Sequence, residues 1–90
     1  MEHEGSLHVS RSGSNTYMVV YAPYGPTGTG GWVPNHDCRG DKELRDFLSR
    51  AHVGPVSIEE CLKALANANN HTIGNVRLSQ VEWEGLSPPK

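Results

Sequence analysis

The chain has few of the residues that would make its chemistry easy to name. Of its 90 residues only two are cysteine, Cys38 and Cys61, and a single phenylalanine stands at Phe47. Two cysteines are too few for the disulfide framework of a small secreted domain, and nothing in the sequence argues for an oxidising compartment. Basic charge is scarce as well: 8 Lys and Arg against 10 Asp and Glu leave a formal charge of -2. That balance removes the usual electrostatic case for nucleic acid or anionic lipid. No apolar run approaches the ~20 residues of a membrane span, so no membrane partner is expected. The start, Met1-Glu2-His3-Glu4-Gly5, has neither a basic n-region nor an apolar h-region, which sets the expectation of a cytoplasmic protein. With 36% hydrophobic residues and 10 Gly the composition is that of an ordinary globular chain. Its length leaves no room for a second independent domain.

Local patterns predict an α+β fold. Residues 1–6 are polar and expected to fray. Leu7 and Val9 alternate with His8 and Ser10 as in a half-buried strand. A turn cluster, Ser12-Gly13-Ser14-Asn15, leads to Tyr17–Ala22, a run without one polar residue. Tyr17, Val19 and Tyr21 share one face of that strand and Met18, Val20 and Ala22 the other, so it should be central or covered on both sides. Asp41 can cap a helix from Lys42 to about His52 with a stripe of Leu44, Phe47, Leu48 and Ala51. Asp41 with Arg45, and Asp46 with Arg50, are favourably spaced pairs, and Gly54-Pro55 supplies the stop. Ser57-Ile58-Glu59-Glu60 reads as a capping box opening a second helix to about Asn69, with Ile58, Cys61, Leu62 and Leu65 inward and Glu59 bracing Lys63.

Thr72–Leu78 reads as a returning strand. Ile73 and Val76 share a face only if Gly74-Asn75 forms a bulge. After Leu78 a continued strand competes with a helical turn opened by Ser79-Gln80-Val81-Glu82 and stopped at Gly85. The turn is preferred, because a continued strand would swap its apolar face midway. Ser87-Pro88-Pro89-Lys90 is expected to be a free tail, leaving 7–86 as the single domain. The architecture expected is a three-stranded, mostly antiparallel sheet with Tyr17–Ala22 between Leu7–Arg11 and Thr72–Leu78, and two helices on one face.

Residues 23–40 hold five of the Gly and three of the Pro residues. Such a segment cannot be helical and offers at most a short edge strand near Trp32-Val33. An irregular stretch of that length in a compact domain is usually functional or disordered. Within it Gly25-Pro26-Thr27-Gly28-Thr29-Gly30 follows an apolar strand and resembles the opening of the Walker A loop of AAA+-type ATPases. The resemblance ends there, since Gly31 and Trp32 occupy the places of the phosphate-binding Lys and the magnesium-binding hydroxyl. What remains is a Gly-rich loop whose bare amides could hold an anion.

His36, Asp37 and Cys38 precede the first helix, where a Cys near a helix N-terminus and a His can become a nucleophile. The metal reading fails on spacing, for there is no C-x₂-C and no H-x₃₋₅-H pair. His3, His8, His52 and His71 are scattered singly. Arg39-Gly40-Asp41 spells a tripeptide read by integrins, but a glycine before a capping aspartate explains it. Asn70-His71-Thr72 is a glycosylation sequon only for a secreted chain. Two helices and a strand also resemble part of a winged-helix DNA reader, yet the second helix carries Lys63 against Glu59 and Glu60.

The function expected is therefore a small intracellular protein-binding or regulatory module without catalysis, paired with a protein partner or a second copy. Its expected binding residues are Tyr24, Gly28, Gly30, Trp32, His36 and Cys38, with no cofactor and no metal. A thiol-dependent or anion-binding activity on residues 25–41 and weak nucleic-acid binding are the alternatives.

Overall fold

A computed structural model describes residues 2–25, 31–32 and 34–86. Gly28, Gly30, Val33 and the tail 87–90 lie outside the described residues. The chain runs β1 (Glu2–Gly13), β2 (Thr16–Pro23), β3 (His36–Arg39), α1 (Gly40–Arg50), α2 (Pro55–Asn67), β4 (Asn70–Ser79) and α3 (Gln80–Glu84). Among the described residues the sheet has four strands, in the order β3-β2-β1-β4, with every neighbouring pair antiparallel. The fold is α+β, as the periodicities predict, but with one strand more than expected and a different order. β4 pairs with β1 and not with β2, so β1 and β2 together form the middle of the sheet. The added strand, β3, closes the other side of β2 through Tyr17↔Cys38 and Val19↔His36.

Glu2 to Ser6 do not fray; Glu2, His3, Glu4 and Gly5 face Ser79, Leu78, Arg77 and Val76 of β4. Polar side chains hid this extension, because backbone pairing at a sheet end needs no apolar alternation. Between Gly5↔Val76 and Leu7↔Ile73 the register shifts, so β4 spends one residue more than β1. The extra residue is the expected bulge: Asn75 stands in the left-handed region at φ 58°, and Ile73 and Val76 are both buried. Gly5 sits where the strands approach closely. A Cβ there would run into the carbonyl of Ala22 and the Cα of Pro23.

Local signals at the helix ends were partly overruled. Asp41 does not cap α1, which begins at Gly40 with Arg39 as N-cap. The Asp41 carboxylate instead accepts the Tyr17 hydroxyl at 2.6 Å, while Glu43 accepts the Arg39 N–H at 2.8 Å. Gly40 has φ 77°, the conformation that turns β3 directly into α1. α1 is stopped by His52, which takes φ 66°. Val53 N–H reaches Leu48 O at 3.0 Å and His52 N–H reaches Ser49 O at 3.2 Å, the two bonds of a Schellman closure. Gly54 then becomes the N-cap of α2 and Pro55 its first residue, two positions ahead of the expected capping box at Ser57. Proline suits that place because its missing N–H would have no partner in a first turn. Asp46 pairs with Arg50 as expected, at 3.1 Å. Arg45 turns from Asp41 to Glu59, with two 3.0 Å hydrogen bonds that bridge α1 and α2. At the other end the preferred helical turn forms: Ser79 Oγ accepts the Glu82 N–H and Glu82 accepts the Ser79 N–H.

The core lies between the inner face of the sheet and the helices. Leu7, Val9, Tyr17, Val19 and Tyr21 meet Leu44, Phe47 and Leu48 of α1, Ile58, Cys61 and Leu65 of α2, and Trp83 of α3. Leu62 is only partly buried. The face of β2 carrying Met18, Val20 and Ala22 points away from this core and is partly exposed.

Candidate functional site

The residues expected to form one site divide into three places. His36 and Cys38 alternate with Asp37 and Arg39 along β3, so period-2 geometry turns both inward. Neither belongs to a loop. His36 is 3% exposed and its Nε2–H donates to the Trp83 carbonyl at 2.6 Å. The ring packs edge-on against Trp83, with centroids 4.5 Å apart, and tilts against Phe47 at 5.3 Å. Cys38 is fully buried, and burial, reinforced by the nearby Glu43 charge, pushes its thiol up to about 12. Burial likewise pushes Cys61 up to about 11. A reactive cysteine needs its thiolate at neutral pH, so this environment works against the expected nucleophile. Among the described residues no three His, Cys, Asp or Glu side chains gather as metal ligands.

Trp32 lies at the second place, on the inner side beside the edge of β2. Its backbone N–H donates to Tyr21 O at 2.8 Å; Trp32 itself is not part of a strand, and Val33, the other residue of the expected edge strand, lies outside the described residues. The indole packs on Tyr21 at 4.9 Å and meets His3 edge-on at 5.3 Å. Trp83 completes the row 5.9 Å from Tyr21, and its Nε1–H donates to Pro34 O at 2.9 Å. The aromatic residues thus hold Trp32, Pro34 and His36 onto the core. Offset and edge-on rings of this kind contribute about 0.5–1.5 kcal/mol per pair beyond area burial.

Tyr24 occupies the third place, on the opposite face of the sheet. Its N–H donates to Glu4 O at 2.8 Å, and its hydroxyl accepts the Asn75 N–H at 3.1 Å. The phenol therefore spans β1 from the end of β2 to the bulge in β4. Gly74 leaves room for it, since a Cβ there would stand 3.3 Å from the hydroxyl oxygen.

The same outer face brings together residues that sequence reasoning scattered. Ser6 Oγ lies 3.1 Å from His8 Nε2, and His8 Nδ1 lies 3.2 Å from Thr72 Oγ1. The alternation of Ser6, His8 and Ser10 with Leu7 and Val9 already places the first two on one face. Thr72 joins them only through the pairing of β1 with β4. On the far side of the molecule Pro55, Val56, Glu59, Glu60 and Lys63 of α2 line an open groove of about 460 Å³. Glu59 is already engaged there by Arg45.

The chain matches no protein-family model, and neither the curated proteins nor the solved structures hold a match to it.

Proposed function

We propose that this protein is a small protein-binding module whose contact surface is the face of its sheet opposite the helices α1, α2 and α3, engaging a protein partner or a second copy of itself. One arrangement supports the reading. The helices pack against the inner face, and on the other face Met18, Val20 and Ala22 stand in line on β2, partly exposed. His8 and Ser10 flank that strip on β1, opposite Val20 and Met18. An apolar centre with a polar margin is the anatomy of a recognition surface. Gly31 lies directly against Val20, where a Cβ would overlap the valine side chain, so the strip is bordered by backbone and stays shallow.

Light scattering on the eluting protein, together with capture from a lysate of its source, tests the reading. The expected result is a mass above one chain, or a specific companion, lost in Met18→Lys. Met18 points away from the core, so that variant should retain its fold. A strict monomer that captures nothing overturns the reading.

A further inference from the structure

We propose that Ser6 is an acyl-accepting nucleophile with His8 as its base, and that small acyl esters are the substrate class of this face. The inference goes beyond the binding reading and does not depend on it. Ser6 Oγ, the His8 imidazole and Thr72 Oγ1 form one continuous chain of contacts at 3.1 and 3.2 Å. In the tautomer with its proton on Nδ1, His8 donates to Thr72 Oγ1, and Nε2 is left to accept the Ser6 hydroxyl proton. That is the order of nucleophile, base and orienting group by which a weakly nucleophilic hydroxyl is activated. His8 and Thr72 are direct cross-strand partners, so the orienting contact is built into the sheet and not into a loop.

Two further features of the face fit the role. Ser6 is only 9% exposed, so packing holds its side chain in the geometry that meets His8. It also stands opposite the Gly74–Asn75 bulge, between Gly5↔Val76 and Leu7↔Ile73. At that bulge the Tyr24 hydroxyl accepts the Asn75 N–H, and among the described residues its own proton has no acceptor. A phenol placed there can donate to the carbonyl oxygen on which charge develops. Ala22 and Val20, the β2 partners of Ser6 and His8, give the acyl group a short apolar floor.

The steps balance without a further reactant. Ser6 Oγ bonds to the acyl carbon as its proton passes to His8 Nε2. The ester C–O bond breaks as Nε2 returns that proton to the leaving alkoxide. Water then attacks the acyl carbon, giving one proton through Nε2 to the departing Ser6 Oγ, and the carboxylic acid leaves. Thr72 is neutral and acts as a positioning residue.

The test is to treat the purified full chain with a fluorophosphonate reagent and with p-nitrophenyl acetate, locating adducts by peptide mass spectrometry. One adduct on Ser6 is expected, absent in Ser6→Ala. His8→Gln should slow its formation about 100-fold, the lower range of a general base. Thr72→Val should slow it about tenfold and Thr72→Ser should restore it, a rescue that loss of packing would not give. Circular dichroism confirms that each variant is folded. Labelling confined to other residues, or labelling of Ser6 at the same rate in folded His8→Gln, overturns the proposal.

Discussion

His36 donates its Nε2 proton to the carbonyl oxygen of Trp83 across 2.6 Å, joining the start of β3 to α3. Trp83 answers through its indole N–H, which donates to Pro34 O two residues before His36. The two residues thus clamp the segment leading into β3 from both sides of one side chain. His36→Ala removes the donor, leaves a buried carbonyl without its partner and opens space beside Phe47 and Trp83. The expected loss is about 2–4 kcal/mol, read as a lower urea midpoint with unchanged slope.

The two thiols make alkaline pH destabilising. Folding raises Cys38 from 9.0 to about 12 and Cys61 from 9.0 to about 11, in both cases through burial. A raised value in the folded state means that the unfolded chain loses its protons first, so stability is intact below about pH 9 and falls as pH rises through the folded values. Tyr17 shifts in the same direction, its hydroxyl held by the Asp41 carboxylate. Thermal unfolding should show a falling midpoint from pH 9 upward, less steep in Cys38→Ala. At neutral pH an aromatic disulfide reagent should modify both cysteines only at the rate of unfolding.

His52 offers a backbone prediction. It closes α1 at φ 66°, a region where side chains cost roughly 1–2 kcal/mol and glycine does not. Its Nε2 also meets Glu82 at 2.9 Å, a contact that holds the Glu82 carboxyl below its usual range. His52→Val should lower stability by about 1–2 kcal/mol. His52→Gly should match or exceed the parent, since the surface contact is small beside the backbone gain. Urea titration separates the two variants.

Gly5 is the residue at which the sheet tolerates least. Gly5→Ala would place a methyl group on the Ala22 carbonyl and the Pro23 Cα, backbone atoms that cannot step aside. A loss of about 1–3 kcal/mol is expected. Because Ser6 follows and the bulge lies opposite, hydrogen exchange should quicken at Val76 and Leu78 before the helices respond.

The sequence by itself determined what is read within one or two turns of chain. The alternation of Leu7 to Val9, the stripe of Leu44, Phe47, Leu48 and Ala51, the bulge at Gly74-Asn75 and the Ser79–Glu82 capping box each involve side chains a few residues apart. For these, local geometry alone selects the conformation. Only the tertiary structure decided which strands are neighbours, because pairing β4 with β1 in place of β2 changes no local pattern and depends on burial summed over the molecule. The same holds for the ends of α1 and α2, where Tyr17 claimed Asp41 and Pro55 displaced Ser57. It holds most for the candidate residues. His36 and Cys38 looked like loop chemistry until β2 gave them a strand to pair with, which turned both into the core. Ser6, His8 and Thr72 looked unrelated until an antiparallel pairing spanning 64 residues set the last two side by side.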